Sequence, residues 1–424
     1  MSRSPFAVLV VFLVFFVISL LTNVTGPMLP DILQTFQLSL GLGGFIPFAF
    51  FLAYGVMSIP AGMLIERFGE RPVMLAAFLA AFGGCLAFVL APSFGTFLPS
   101  LFAIGLGMAM LQVAINPLLR VAGGEEHYAF NGVLAQLLFG LASFGSPYLY
   151  SHLVTRLGQE PAATSGPLGI LGKVVPPGMA WTSMYWVFTG VTLVMVLLLA
   201  FLRLPRVERR DDERSGSLAV HLQLLRKPMV VAFFFGTFCY VGLEQGVSFW
   251  ISKFLQTYHG VSPTAGGDSA TAGFWGLQTL GCALGLLLLK LFDARHILVA
   301  FGILAGLTLA AALLGTVAVA RVAFPVVGFW TSVMWATIFS LALNSVEEHH
   351  GSFSGILCTG IAGGAVVPWL VGRIGDVAGL RMGLSVLFLA ITYLTSIGLW
   401  ARPLVQNATL RRPEDRPARE GAEA

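Results

Sequence analysis

Charge is what this chain lacks most. Asp, Glu, Lys and Arg together make up 10% of its 424 residues, well under the share found in water-soluble domains, and that excludes a fold whose whole surface faces water. Cysteine is scarce as well. Cys85, Cys239, Cys282 and Cys358 lie far apart in apolar surroundings with no CxxC pair, so they read as small packing residues, and neither a disulfide framework nor a metal site is expected. No nucleophile stands beside a base, no histidines cluster at ligand spacing, no phosphate loop is written, and no polar stretch could hold a catalytic domain. The chain is therefore not expected to be an enzyme. Its basic residues have no aromatic-lined groove of their own, so nucleic acid is not an expected partner.

What is present is apolar sequence, 57% of the chain. Runs of helix-spanning length cover roughly 6–33, 43–65, 72–91, 96–119, 128–154, 181–203, 229–257, 269–291, 295–318, 322–346, 351–373 and 379–402. With no water in hydrocarbon to satisfy the backbone, such runs must be helices, and the lipid bilayer is the first partner. The first run is too long and lacks a small-residue cleavage site, so it reads as a span and not a removable leader. Of the 24 Lys and Arg residues, only Arg156, Lys173, Lys253, Arg321, Arg373 and Arg381 fall in the alternate set of loops. The other 18 share the side of the N-terminus, which places both termini in the cytoplasm.

The chain repeats itself. Glu125, Glu126 and His127 return as Glu347, Glu348 and His349, and Leu33, Gln34 and Thr35 return as Leu255, Gln256 and Thr257, each 222 residues on. After the histidine the offset becomes 223, matching Phe130, Gly132 and Leu134 with Phe353, Gly355 and Leu357. Pro147-Tyr148-Leu149 parallels Pro368-Trp369-Leu370. Six helices are thus duplicated, giving an all-α membrane protein of twelve transmembrane helices in two pseudo-symmetric bundles. The expected division is an N-terminal bundle over 1–204, a cytoplasmic linker over 205–228, a C-terminal bundle over 229–402 and a disordered cytoplasmic tail over 403–424. Glu125, Glu126 and His127 read as ordinary charges at a helix start. The Gly-rich "GLGG" and "GIAGGA" lie in or beside membrane helices and read as packing sites, not nucleotide loops.

"GMLIERFGERP", from Gly62 to Pro72, resembles the loop signature of the major facilitator superfamily, with Gly62, Glu66, Arg67, Gly69 and Arg71 in its places. The resemblance implies the major facilitator fold, with a gating role for those five residues. Gly62 allows close helix approach and Gly69 a tight turn. The second-half counterpart, "KLFDARH", keeps only Lys290, Asp293 and Arg295.

Polar residues deep in spans are costly and mark candidate sites. Asn23, Gln112, Asn116, Gln136, Tyr240, Glu244, Gln245, Gln278, Trp335 and Asn344 form such a set. Amides with indole and phenol rings offer the paired donors, acceptors and flat apolar faces that a neutral polyol needs. Glu244 is the one carboxylate deep within an apolar run, where desolvation penalises its charged form, and by the 222-residue offset it is the counterpart of Thr22. It could carry a proton, ligate sodium or touch a sugar.

"LQVAINP", "FNGVLAQLLFGLASFGSPYL", "FCYVGLEQG", "ATIFSLAL" and "GSFSGILCTGIAGGAVVPWLVGRIGDVAG" resemble the fucose:proton symporter family, which includes glucose/galactose carriers. That resemblance implies a monosaccharide transporter working by alternating access, with no cofactor beyond a co-transported sodium ion or proton. Asn23, Asn116 and Gln136 fall where the family has amides, and Glu244 where several of its sugar carriers have a Glu. The chain departs from the family too. Gly26 and Gln112 stand where the fucose carriers have Asp and Glu, and Cys282 where many hexose carriers have Arg. A monomer in the bacterial inner membrane is expected. An exporter of amphipathic or drug-like molecules on the same fold is the alternative, and 35 Phe residues fit it.

Overall fold

In the computed structural model the described residues are 5–123, 128–159, 166–202, 218–263, 268–346 and 349–402. Their apolar runs form the helices α1 Pro5–Phe36, α2 Leu40–Phe68, α3 Glu70–Leu90, α4 Phe94–Gly123, α5 Tyr128–Gln159 and α6 Ala180–Phe201. A second set follows: α7 Pro228–His259, α8 Asp268–Leu291, α9 Ala294–Leu314, α10 Val317–Leu343, α11 Ser352–Ala378 and α12 Leu380–Trp400. Among the described residues, eleven of these are long and apolar enough to cross a membrane. The twelfth, α5, has the length, 32 residues. With an even number of spans, the α1 start and the α12 end share one face of the molecule, called here the terminal face. The opposite one is the distal face.

Within the first half α3 packs on α4 and α6, and α2 on α4; the second half repeats this with α9 on α10 and α12, and α8 on α10. The halves meet along α1 with α7, α2 with α11, and α5 with α8. Leu79 on α3, Leu197 on α6, Leu307 on α9 and Leu389 on α12 stay exposed, an arrangement that suits lipid and not water.

The repeated Leu-Gln-Thr is a helix terminator in both halves. α1 ends at Gln37 with φ 51°, where the Leu38 N–H donates to the Leu33 carbonyl at 2.9 Å. α7 ends at Gly260 with φ 63°, where the Val261 N–H donates to the Leu255 carbonyl at 3.2 Å. A left-handed residue closing the last turn is a common stop.

Several expectations need correction. α2 begins at Leu40 and α10 at Val317, earlier than their hydropathy suggests, because small residues extend the spans. The kink that Gly26-Pro27 predicts falls in the turn before it, where α1 breaks at Asn23-Val24. Pro27 is the cause: its ring excludes the carbonyl four residues earlier, that of Asn23. The stretch read as linker contains the helix Leu218–Leu225, whose His221 is 2% exposed and lies near Gly355 of α11. Glu125, Glu126, His127, Glu347, Glu348 and the tail fall outside the described residues.

Candidate functional site

α1 and α7 cross where Gly26 meets Ser248. A Cβ on Gly26 would lie 2.7 Å from the Ser248 carbonyl oxygen. These two positions are 222 apart, so each is the repeat counterpart of the other and the contact marks the pseudo-two-fold axis. Thr22 and Glu244 are therefore equivalent, one turn toward the terminal face and about 6 Å along each helix. Asn23 and Gln245 lie beside them.

Around Glu244 the second half assembles a hydrogen-bonded cluster. The Tyr240 hydroxyl donates to Glu244 Oε2 at 2.6 Å, and Gln278 Nε2 donates to the same oxygen at 2.5 Å and to the Tyr240 hydroxyl at 3.2 Å. Gln245 Nε2 donates to Oε1 at 3.3 Å. Tyr240 sits one turn before Glu244 on α7, and α8 brings Gln278 from its own inward face. Trp335 of α10 lies against the Tyr240 ring, with centroids 5.8 Å apart, and continues to Phe339 at 5.3 Å. Tyr240, Gln245 and Gln278 are buried, while Glu244 and Trp335 keep partial exposure. Three donors from two helices thus end on one carboxylate, and hydrogen bonds to such an acceptor are among the stronger ones.

The first half contributes a smaller network. Asn23 Nδ2 donates to Ser143 Oγ at 2.8 Å, and Ser143 shares a 2.6 Å bond with Ser19. Asn23 Oδ1 is buried and has no partner among the described residues, a costly state that a hydroxyl donor would relieve. Gly140, three residues before Ser143 on α5, faces Thr279 of α8. Gln136, one turn earlier, shares that inward stripe and is exposed.

Other predicted residues lie elsewhere. Asn344 caps the end of α10 near the terminal face, its Nδ2 3.5 Å from Ser340 Oγ; it is not at mid-span, because α10 ends at Leu343 and not beyond. Gln112 is half-buried on α4, and the Asn116 side chain lies outside the described residues. Cys282, one turn past Gln278, donates to the Ser332 carbonyl at 3.2 Å. Asp31 accepts a hydrogen bond from Tyr150 toward the distal face, away from the cluster.

Of the loop residues, Gly62 is buried and Gly69 turns the chain with φ 84°. Glu66 and Arg67 are exposed, Arg67 lying 5.3 Å from the Phe68 ring centroid. Arg71 donates to the Leu199 and Ala200 carbonyls at 3.1 and 2.8 Å, closing the end of α6. Arg295 does the equivalent in the second half: it donates to the Ala401 carbonyl at 3.0 Å, past the end of α12. The degenerate copy of the loop thus keeps this one contact. Sequence reasoning missed Ser19 and Ser143, because serines in apolar runs are common and only their meeting across α1 and α5 distinguishes them.

Residues 11–368 match the family model described as Major Facilitator Superfamily. The chain is similar to a glucose/galactose transporter of Brucella abortus (strain 2308), with 28% identity over 407 residues and 93% of each chain covered. It is also similar to the L-fucose-proton symporter of Escherichia coli (strain K12), with 26% identity over 405 residues and 89% of each covered. Among solved structures, the E. coli fucose:proton symporter superposes with a TM-score of 0.68 at 21% identity, covering 95% of this chain and 100% of that one. A bacterial homologue of the human lysosomal transporter Spinster, inward-facing and unoccupied, gives 0.76 at 15% identity, covering 94% and 98%.

Proposed function

We infer that the chain, which belongs to the Major Facilitator Superfamily, is a secondary active transporter carrying a hexose-like monosaccharide across a membrane by alternating access. The observation that carries this reading is the Tyr240–Glu244–Gln278 cluster with Trp335 beside it, set one turn from the pseudo-symmetry axis. Such a site offers a sugar a carboxylate acceptor, amides that both donate and accept, and an indole face for its C–H groups. Asn23 Oδ1, without a partner among the described residues, adds an acceptor from the opposite half.

The relatives named as glucose/galactose transporters and L-fucose-proton symporters support this class of cargo. The excess of Lys and Arg on the terminal face supports a cytoplasmic location for both termini in a bacterial inner membrane. Glu244 serves as the coupling residue, taking up a proton or contacting sodium as the sugar binds, and Gly62, Glu66, Arg67, Gly69 and Arg71 belong to the cytoplasmic gate. The protein acts as a monomer, since each chain contains both halves of the site.

Counterflow in proteoliposomes tests the reading. Vesicles preloaded with unlabelled D-glucose or D-galactose should accumulate the labelled sugar transiently, and Glu244→Gln combined with Gln278→Leu should remove that overshoot. A full monosaccharide panel without counterflow, alongside transport of amphipathic dyes, would replace the sugar with the drug-like cargo of the alternative.

A further inference from the structure

We propose that Asp376 is a positioning residue that latches the distal face shut, so that release of its carboxylate is a step of alternating access. This rests on the transport reading but on no particular cargo. Asp376 lies near the distal end of α11. Its Oδ1 accepts the Leu40 N–H and its Oδ2 the Gly41 N–H, both at 2.8 Å. Those amides open α2 in the other half, where the Ser39 hydroxyl takes only the Leu42 N–H, at 3.2 Å, and the first N–H groups of a helix have no acceptor within it. A carboxylate is the acceptor that gains most in such a place.

Glycine makes the approach possible. A Cβ at Gly41 would lie 2.6 Å from Asp376 Oδ2 and 2.8 Å from Arg373 Cδ, and one at Gly44 would lie 2.7 Å from Trp369 Cα. On the facing helix, a Cβ at Gly372 would lie 2.5 Å from the Leu40 carbonyl oxygen. The Gly-rich "GLGG" is therefore where backbone of one half meets backbone of the other. Trp250 of α7 braces the same seam, donating from Nε1 to the Pro368 carbonyl at 3.1 Å.

Two features suit a bond that must break. Asp376 is exposed and lines an open cavity of about 520 Å³ with Gln34, Ser39, Lys253, Gln256 and Thr257, so water can replace the amides as the halves part. The latch is also one-sided. The repeat counterpart of Asp376 falls within Leu153–Thr155, which holds no acid. Closure of this face thus depends on a charge that the first half does not duplicate.

The test is labelling at the α1–α7 crossing. Ser248→Cys is introduced after the four native cysteines are replaced by alanine, and intact cells are treated with a membrane-impermeant methanethiosulfonate. Asp376→Asn should raise the labelling rate about three- to tenfold, the size expected of an exposed charged hydrogen bond. Asp376→Ala should raise it further, and Asp376→Glu should keep it near the parent value. Gly41→Ala leaves Asp376 intact but puts a methyl in the carboxylate's place, and it should act in the same direction. Unchanged labelling in monodisperse Asp376→Ala and Gly41→Ala proteins would overturn the proposal. So would lowered thermal stability without added labelling, which would make Asp376 a plain helix cap. Labelling needs no substrate, so failure of every sugar in counterflow would remove the cargo and leave this result standing.

Discussion

Glu244 is surrounded by donors: a phenol and two amides end on its carboxylate. Replacing it with Gln keeps the shape, removes the charge and gives those donors a weaker acceptor. Glu244→Gln should abolish concentrative uptake in membrane vesicles while leaving exchange partly intact. An unaltered dependence on pH, sodium and gradient in that variant would strip Glu244 of the coupling role. Tyr240→Phe and Gln278→Leu each remove a donor to the same Oε2, and each should raise the half-saturating sugar concentration about tenfold. Because they share one oxygen, the double variant should fall short of the product of the single effects. Transport kinetics of the three proteins would show independent contributions if that sharing were wrong.

At the scale of helices, the crossing of α1 and α7 depends on the missing side chain at Gly26. Gly26→Val places methyls against the Ser248 carbonyl, already 2.7 Å from a bare Cβ, and should both lower thermal stability and slow transport. A Gly26→Val protein with normal counterflow would show that the halves do not touch there. The paired arginines make a second element-level expectation. Arg71 and Arg295 close the ends of α6 and α12, so truncating either to alanine removes the side-chain donor from those carbonyls. Each truncation should cost about 1 kcal/mol, read as lowered thermal stability. Arg71→Ala should weaken packing in the first half and Arg295→Ala in the second.

For the molecule as a whole, binding between the halves predicts ligand-dependent stability. A hexose at one hundred times its dissociation constant should add about 2.7 kcal/mol to the occupied state, visible as a thermal shift selective for one or a few monosaccharides. Broad stabilisation by amphipathic compounds, with none by hexoses, would favour the exporter. Exposed leucines on α3, α6, α9 and α12 belong to the lipid boundary in either case, so the abundance of Phe and Leu does not separate the two cargoes.

The sequence by itself determined the membrane class, the span count and the duplication, because hydrocarbon admits only helices and a duplicated segment keeps its offsets. It also pointed to Glu244, since one acid in a long apolar run stands out by its cost. Tertiary structure decided which amides gather: Gln278 reaches Glu244, whereas Asn344 sits at a helix end, a difference of rotation and depth that composition does not encode. It alone revealed Ser19 with Ser143 and Asp376 with the start of α2. The last pair lies 336 residues apart in the chain, and a hydrogen bond across that separation exists only once both bundles have folded and met.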